Sequence, residues 1–421
     1  MDAPRTVAAG RTASPTTARL INDRLALQLL QYEGALTAGQ LKTLTGLSRP
    51  TVADLVERLQ EAGLIAVVGE SGAQRRGPNA RLYGIVADRA HLVGLDLRTH
   101  SVTVAVADLL GEVRAEHTVP IGPDDTPDAA VAAALAGLDK ALAAAGAPHP
   151  HTIAVGAPGL VDPATGRLGG TDWIPSWHVA LVGELRARRP APVLLENEVN
   201  LAAIAEQRDG AARGHDTFVL LWLGHGTGAA VVLDGTLRRG ASGGTGEIGF
   251  LPVPGTAALP SASGCDGGFH SLAGSAAICA LAAQHGLPAE AGAGSPAVDA
   301  PSPDTDAPPA EAVVRAAVAA GDAGAAFLDA LAARIALGVA AVCAVLDPGC
   351  VVLGGETGSA GGEELADRIA GQLARLSPLR TDVRAGALGG RAVLRGAVLA
   401  ARDAAQNELF GAAGPGVAPR P

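Results

Sequence analysis

An apolar strand that ends in a polar Glu-Asn-Glu sequence, with a glycine-rich turn after it, most constrains this fold. Residues 194–200 are Leu-Leu-Glu-Asn-Glu-Val-Asn, and residues 223–228 are Leu-Gly-His-Gly-Thr-Gly. Apolar strands that end in acids and glycines commonly build a small-molecule cleft. The two segments therefore predict a cleft that either performs chemistry or senses a ligand.

The composition indicates a large core of small aliphatic side chains. The chain has 421 residues, of which 48% are hydrophobic and only 2% aromatic, so we expect two or three domains. No uninterrupted apolar run approaches the roughly 20 residues of a membrane span, and residues 1–15 lack the apolar core of a signal peptide. We therefore expect a cytoplasmic protein without a membrane partner. The four scattered cysteines do not indicate a disulfide framework.

Charge is distributed unevenly along the chain. Residues 1–90 contain 11 Lys/Arg and 8 Asp/Glu, whereas the remainder contains 21 and 34. A mildly basic head on an acidic body favours contact between the head and a polyanion, although chance variation on a solvated surface is the alternative.

After a tail (residues 1–18) that we expect to be disordered, residues 19–86 have the pattern of a winged helix-turn-helix. Thr37 and Gln40 form a capping box for a short helix. Ser48 caps a third helix, and Pro50 lies in its first turn, where proline is tolerated. The apolar stripe of this helix comprises Val52, Leu55, Val56, Leu59 and Ala62.

The polar face of the third helix and the following wing predict a DNA interface. Two apolar segments, 64–68 and 81–85, resemble wing strands, and Arg75 and Arg76 between them can reach phosphate or the minor groove. The predicted helix contacts are Ser48, Arg49, Pro50, Thr51, Asp54 and Arg58. A small helical protein-interaction module is the alternative, but the cap, stripe and basic wing together favour double-stranded DNA.

The rest of the chain predicts a two-lobed α/β body, because strand-rich segments with flanking helices occur twice. We place the first lobe at residues 87–205, completed by a C-terminal helix near 391–410, and the second at 206–390. Residues 286–310 are rich in Pro, Ala and Asp and predict a surface loop. The predicted strands are 91–98, 101–108, 112–120, 152–156, 218–223, 229–233 and 350–353, and the predicted helices are 128–145, 179–188, 199–209, 271–284 and 311–346.

Seven short motifs follow one another in the body, at residues 94–97, 157–162, 196–203, 226–228, 233–235, 239–243 and 246–249. As an ordered set they resemble those of the ROK family of sugar kinases and winged-helix repressors, and the resemblance extends from about residue 20 onward. The resemblance implies an α/β fold with an N-terminal winged helix-turn-helix and an actin-like, hexokinase-type body. It also implies oligomerisation through the body, as a homodimer or homotetramer.

Three departures from the family's kinase pattern argue against phosphoryl transfer. Arg98 stands where paired glycines would admit ATP phosphates, and Ala230 replaces a further glycine of the second loop. Glu198 occupies the position of the catalytic Asp, and its extra methylene displaces the carboxylate. We therefore expect no enzyme activity, no catalytic residue and no bound ATP.

The family's zinc motif is also degenerate. Phe250 occupies its His position, and the following loop retains only Cys265 and His270 as zinc-ligand types. One Cys and one His do not complete a tetrahedral site. We expect no metal and no cofactor, with Phe250 and Phe269 holding the loop by apolar packing instead.

The sugar site is partly retained. The resemblance assigns ligand contacts to Gly159, Asn197, Glu198 and Glu247, but Phe250 and Ser271 replace two polar contacts. The sequence thus predicts a transcriptional regulator, acting as a repressor, whose cleft senses a sugar or sugar derivative without phosphorylating it. The alternatives are a sugar kinase with an accessory DNA-binding head and a ligand-independent regulator with a vestigial cleft.

Overall fold

The computed structural model describes residues 15–71, 80–169, 174–261, 264, 266–287 and 307–411. The prediction of a disordered tail over residues 1–18 is wrong for residues 15–18, which begin the first helix (Pro15–Glu33). Residues 1–14 and most of the predicted loop 286–310 lie outside the described residues. The first of two units contains Met1–His91, Asp108–Glu112 and Arg402–Pro421, and the second contains Leu92–Ala107 and Val113–Ala401.

The first unit is built around a winged helix-turn-helix. Its three strands pair antiparallel in the order β1-β3-β2. The elements are α1 (Pro15–Glu33), β1 (Leu36–Thr37), α2 (Ala38–Thr45), α3 (Arg49–Glu61), β2 (Ile65–Ser71) and β3 (Ala80–Ile85).

Local capping fixes the helix-turn-helix. The Thr37 side chain accepts from the Gln40 amide, and the Gln40 side chain returns to the Thr37 amide, which completes the predicted capping box of α2. Gly46 ends α2 with φ 69°, a conformation that favours glycine. The buried side of α3 comprises Val52, Leu55, Val56 and Leu59, as the stripe predicts. The inclusion of Ala62 in the stripe is wrong, because Ala62 caps the end of the helix and is exposed.

The C-terminal end of the chain contributes to the first unit. Arg24 of α1 donates to the Gly411 carbonyl at 3.0 Å and to Asn407 Oδ1 at 2.8 Å. The Gln406 amide group donates to the carbonyl of Leu109, and the Leu109 amide in turn donates to the Ala87 carbonyl. These bonds join the end of the last helix and the turn at residues 108–112 to the head.

One five-stranded sheet of the second unit has the order β6-β5-β4-β7-β8. Strands β4, β7 and β8 run parallel, and β6 is antiparallel to β5. The elements of this first lobe are β4 (His91–Leu97), β5 (Ser101–Asp108), β6 (Val113–Pro120), α4 (Pro127–Ala144), β7 (Thr152–Ala157), α5 (Ser176–Arg188), β8 (Val193–Asn197) and α6 (Glu198–Asp209).

The other five-stranded sheet has the order β11-β10-β9-β12-β13. Its helices cover a second apolar core, in which Phe269, Phe327 and Leu331 are buried. The elements of this second lobe are β9 (Phe218–Leu223), β10 (Thr227–Leu233), β11 (Thr236–Arg238), α7 (His270–Ala273), α8 (Ser275–Gln284), α9 (Pro309–Ala319), α10 (Asp322–Leu346), β12 (Cys350–Gly354), α11 (Gly355–Leu376) and β13 (Asp382–Ala385). The last helix, α12 (Ala392–Leu409), follows them in the chain.

Helix α12 packs closely against the first-lobe sheet. A Cβ on Gly94 of β4 would lie 2.9 Å from Val398 Cγ2, and one on Gly156 of β7 would lie 2.8 Å from Val393 Cγ1. Glycine at these two positions therefore allows the helix to approach the strands.

The prediction of one helix over residues 311–346 is wrong, because the chain forms α9 and α10. Gly321, between them, has φ 56°, which breaks the helical path. By length and composition helix α10 is able to cross a membrane, although Asp329 and Arg334 interrupt its apolar sequence. Phe327, Leu331 and Ile335 of α10 are nevertheless buried in the second core, and a core helix meets the same criteria.

Candidate functional site

The N-terminal turn of α3 carries several of the predicted DNA contacts. The Ser48 Oγ accepts from the Thr51 amide at 3.3 Å and lies 2.8 Å from Thr51 Oγ1. Both side chains therefore stabilise the start of the helix. Arg49 and Pro50 are exposed in its first turn, the part of a recognition helix that contacts base edges.

Arg58 is directed instead towards α1. Its Nη2 lies 2.6 Å from Asp23 Oδ1, and its Nη1 bonds Asp54 one turn earlier in α3. The guanidinium thus joins α3 to α1, and a DNA contact by Arg58 would require these pairs to break. DNA contacts by Arg58 and Asp54 remain predictions that this geometry does not favour.

Lys42 is a further candidate DNA contact, which no sequence pattern predicted. It lines a cavity of about 690 Å³ together with Arg49, where α2 meets α3. Lys42 lies in the last turn of α2, well before the capped start of α3, so no sequence pattern marked it as a DNA contact. Arg75 and Arg76 lie outside the described residues, so their phosphate contacts remain predictions.

In the second unit, Arg98 directly follows β4, the strand that contains Gly94. Its Nε lies 3.2 Å from Asp96 Oδ2, its Nη1 lies 2.7 Å from Glu356 Oε1, and its Nη2 donates to the Gly390 carbonyl at 3.4 Å. Asp96 belongs to the first sheet, whereas Glu356 begins α11 directly after the second sheet's β12. Arg98 therefore connects the two lobes through one guanidinium.

The surroundings keep Arg98 charged and fixed. Burial opposes the charge, but Asp96 and Glu356 outweigh that effect and raise the pKa of Arg98 above its ordinary value. The buried His178 places its Nε2 3.1 Å from the Arg98 carbonyl, and the Arg98 amide donates to the Ser101 carbonyl at 2.9 Å. Backbone and side chain are thus both held.

Glu198 lies at the start of α6 in an environment that disfavours its charge. Desolvation raises its pKa to about 8, with further contributions from Glu356 and Asp96 and a smaller opposing one from Arg98. At neutral pH the carboxyl group is therefore mostly protonated. A protonated carboxyl can donate and accept hydrogen bonds but cannot act as a general base.

The side chain of Asn197 is largely used within the fold. Its Oδ1 accepts from the amides of Val199 and Asn200 and caps α6, while its Nδ2 donates to the Gly159 carbonyl at 3.0 Å. The structure thus brings the predicted ligand residues Asn197 and Gly159 together. Glu196 supports this arrangement, because its Oε1 accepts from the Asn197 amide at 3.0 Å.

Glu247 approaches the same region from the loop after β11. A Cβ on Gly244 would lie 3.9 Å from both Glu247 Cγ and Leu160 Cδ2, so this loop faces the segment that follows Gly159. Glu247 is exposed, but partial desolvation of its carboxyl group raises its pKa.

The glycine run between β9 and β10 contacts both sides of the cleft. A Cβ on Gly224 would lie 3.1 Å from Glu356 Oε2, and one on Gly228 would lie 3.7 Å from Val199 Cγ2. Thr227 is buried, and Ala230 is buried farther along β10. A side chain at Gly224 would therefore require the Trp222 or Glu356 side chain to shift, whereas a Cβ at Gly228 would make an ordinary van der Waals contact.

The degenerate zinc loop is held by one of the two predicted aromatic contacts. Phe269 is fully buried, whereas Phe250 is 41% exposed. A Cβ on Gly338 of α10 would lie 2.5 Å from Phe269 Cζ, so the ring packs where this helix lacks a side chain. Cys265 lies outside the described residues, and those described contain no cluster of three or more His, Cys, Asp and Glu side chains suited to a metal.

A winged helix-turn-helix joined to a two-lobed, sugar-kinase-like α/β body defines the class of this protein. The chain belongs to the ROK family, whose family model matches residues 92–404. A MarR family model matches residues 22–77, within the head.

Three similar proteins illustrate both branches of the family. The N-acetylglucosamine repressor of Escherichia coli O157:H7 is 27% identical over 237 residues, which cover 55% of this chain. The match spans 57% of that repressor's own length. The ROK hexokinase of Thermus thermophilus is 27% identical, has a TM-score of 0.59, and is matched over 75% of this chain and 99% of its own.

A crystal structure of a ROK family transcriptional regulator, a homologue of the E. coli MLC protein, shares the fold over more of the chain. Its TM-score is 0.71 at 23% identity, and the match covers 93% of this chain and 98% of that one. The shared fold thus covers nearly the whole of both chains.

Proposed function

We propose that this chain is a DNA-binding transcriptional repressor whose cleft senses a small polyhydroxylated ligand without phosphorylating it. The observation that carries the proposal is the Arg98 guanidinium, which is paired with Asp96 and Glu356. Arg98 stands at the position of the family's first phosphate loop, in a chain that also has a winged-helix head.

The geometry of Arg98 supports the absence of ATP chemistry. Loops that bind nucleotide phosphates present backbone amides to the ligand and need glycines for close approach. In this chain the charged side chain of Arg98 takes up the space that the phosphates would need. The carboxylates of Asp96 and Glu356 already neutralise its charge. Glu198, whose pKa is raised to about 8, also has only a minor fraction in the base form at neutral pH.

The head supports the DNA-binding part of the proposal. Two heads in a homo-oligomer would place their α3 helices in successive major grooves. Binding of a ligand in the cleft would close the body and so change the fraction of molecules whose heads can bind the operator. Arg49, exposed in the first turn of α3, is the side chain that we expect to contact a base.

A gel-shift titration at fixed salt tests this part, with operator fragments obtained by genome-wide capture of bound DNA. Arg49→Ala should weaken operator binding by about tenfold or more, as expected for a lost base contact. Arg315→Ala, which removes an exposed arginine from α9 of the body, is the control and should bind normally. Unchanged binding by Arg49→Ala, with Arg315→Ala also normal, would contradict the assigned recognition helix.

The kinase alternative has support of its own, because the Thermus hexokinase matches the body at 27% identity. Phosphate transfer from ATP to a panel of monosaccharides tests it directly. We expect no sugar-dependent ATP consumption above background. Turnover that requires both ATP and one sugar would establish the kinase instead.

A further inference from the structure

In the described residues of the body the chain passes between the two lobes twice, and one glutamate contacts both passages. The first crossing is residues 210–217, between α6 and β9, and the second crossing is residues 386–391, between β13 and α12. We propose that Glu206 of α6 is a positioning residue that couples the two crossings, so that closure of the lobes moves α12. This inference rests on the proposed sensing function and deepens it by assigning a residue that transmits the signal.

The carboxyl group of Glu206 accepts hydrogen bonds from both crossings. Its Oε2 accepts from the Ala211 amide at 2.7 Å and from the Ala387 amide at 3.2 Å. Its Oε1 accepts from the Leu388 amide at 2.9 Å. Glu206 is only 2% exposed, so water cannot readily replace these bonds if they break.

Each crossing has a glycine where it passes the Glu206 carboxyl group. A Cβ on Gly210 would overlap Oε2, and one on Gly386 would lie 3.1 Å from Oε1. A side chain at Gly210 would therefore push the carboxyl group out of position. The Glu206 carbonyl also accepts from the Gly210 amide at 3.1 Å. The backbone of both crossings thus lies directly against this one residue.

Two arginines add bonds between the same parts of the chain. The Nη1 of Arg384, in β13, donates to the Ala211 carbonyl at 3.2 Å. The Nε of Arg395, near the start of α12, lies 2.6 Å from Asp209 Oδ2 at the end of α6. The two arginine side chains are 39% and 27% exposed, so their bonds are weaker restraints than those of the buried Glu206.

A shared acceptor makes the two crossings move together. Because Ala211 and Ala387 donate to the same oxygen, the crossings cannot separate without leaving a buried amide unpaired, which is costly. Closure of two lobes is a rotation about the segments that connect them. Glu206 therefore converts that rotation into a joint movement of both crossings, instead of independent bending of each.

Helix α12 receives the movement because it directly follows the second crossing. It lies close to α6, since a Cβ on Gly396 would overlap the Leu201 carbonyl oxygen. The helix continues to Leu409, and the chain from Arg402 onward belongs to the first unit. A displacement of the second crossing therefore acts on the start of a helix whose end belongs to the unit that contains the winged helix-turn-helix.

Hydrogen exchange measured by mass spectrometry tests the joint without a ligand. Glu206→Gln places an amide donor where a carboxyl oxygen accepts from backbone N–H groups. Peptides that cover the first and second crossings should therefore both exchange at least about ten times faster than in the wild type. Peptides from β9 should exchange as in the wild type. Faster exchange in only one crossing, or in neither, would contradict the inference.

Operator binding with and without sugar tests the transmission. The probes are glucose, N-acetylglucosamine and xylose, each at saturating concentration with the full-length protein. One of them should change the operator Kd of the wild type at least about tenfold. Glu206→Gln should bind the same sugar in isothermal titration, and the operator without sugar, with Kd values within about threefold of the wild type. The sugar should change its operator Kd less than about threefold.

Arg384→Gln is the second variant, and it carries the test if Glu206→Gln does not fold. It removes the bond to the Ala211 carbonyl from a partly exposed side chain, so the sugar response should fall by about twofold to threefold. Arg368→Gln is the matched control. Arg368 is also a paired arginine of the second lobe, but it bonds Asp329 and Glu364 and joins α10 to α11. Its response should equal that of the wild type.

The remaining outcomes separate failure of this inference from failure of the sensing function. A full sugar response in Glu206→Gln, or in Arg384→Gln if the first variant does not fold, would contradict the inference and leave sensing intact. Loss of sugar binding by a folded Glu206→Gln would also contradict it, because the residue would then act on the ligand site. A wild type whose operator binding no sugar changes removes the sensing function, and the role of Glu206 in transmission falls with it.

Discussion

The guanidinium Nη1 of Arg98 lies 2.7 Å from Oε1 of Glu356, although 258 positions separate the two residues in the chain. The pair joins a loop after the first sheet to the helix that begins directly after the second. It places a fixed cation between carboxylates from the two lobes.

Loss of this cation should destabilise the body. Arg98→Ala leaves Asp96 and Glu356 without a counter-ion, and removal of one partner from a largely buried pair typically costs about 3 kcal/mol. Urea denaturation of the wild type and the variant measures the difference in unfolding free energy.

Arg368→Ala provides the matched control. Arg368 also bonds two carboxylates, Asp329 and Glu364, but their side chains are 58% and 50% exposed. Exposed pairs contribute at most about 1 kcal/mol. Equal destabilisation by the two variants would show that the Arg98 cluster is not a buried ion network.

Glu198 should make stability depend on pH. Its pKa rises from an ordinary 4.5 to about 8 in the folded chain, so folding takes up a proton between these values. Its contribution is complete below about pH 4.5 and is lost as the pH rises through about 8. Thermal unfolding across this range measures the slope.

Glu198→Gln removes the titration while keeping the size and hydrogen-bonding groups of the side chain. At pH 8.5 the variant should be more stable than the wild type by on the order of 2 kcal/mol, because no charge is buried. Near pH 5 the two should be similar. A variant that is less stable at pH 8.5 would contradict the assignment of a protonated Glu198.

The packing of Phe269 against α10 predicts a steric effect. Gly338→Ala would place a methyl group 2.5 Å from Phe269 Cζ, and overpacking of this kind costs about 1–3 kcal/mol. Gly371→Ala in α11 has nothing within 4 Å and should instead stabilise the protein, by about 0.5–1 kcal/mol. Thermal denaturation of both variants separates the two signs, and stabilisation by Gly338→Ala would refute the close contact.

Arg58 should stabilise the head mainly through its ion pair with Asp23. Arg58→Ala removes the bond from α3 to α1, so it should lower the melting temperature of the protein. Asp23→Asn should produce a similar loss, and the double variant should lose little more, because both single changes break the same pair. Additive losses would indicate that Arg58 and Asp23 act independently.

Local signals predicted most of the elements, because caps and apolar periodicity act over a few residues. Ser48 and the stripe of α3 located the recognition helix, and the strands 101–108 and 218–223 have the predicted bounds. Helix α11 was not predicted, since it begins at Gly355 and Gly362 interrupts its helical path at φ 54°.

Contacts between residues far apart in the chain could not be predicted from the sequence. The sequence predicts that Arg98 obstructs a phosphate loop, but the bond of Arg98 to Glu356 depends on how two distant sheets meet. Likewise, periodicity assigned Arg58 to the polar face of α3 without showing that α1 supplies Asp23 there. The protonation of Glu198 depends on the same tertiary arrangement, because Asp96 and Glu356 come from separate segments.

The most direct test of the account is operator binding by the full-length protein, titrated with the free sugar that binds the cleft, in the absence and presence of ATP and Mg²⁺. We predict that the sugar changes the apparent Kd for operator DNA at least tenfold without nucleotide, and that ATP adds no further change and yields no sugar phosphate. A response that requires ATP, or the appearance of sugar phosphate, would contradict the account.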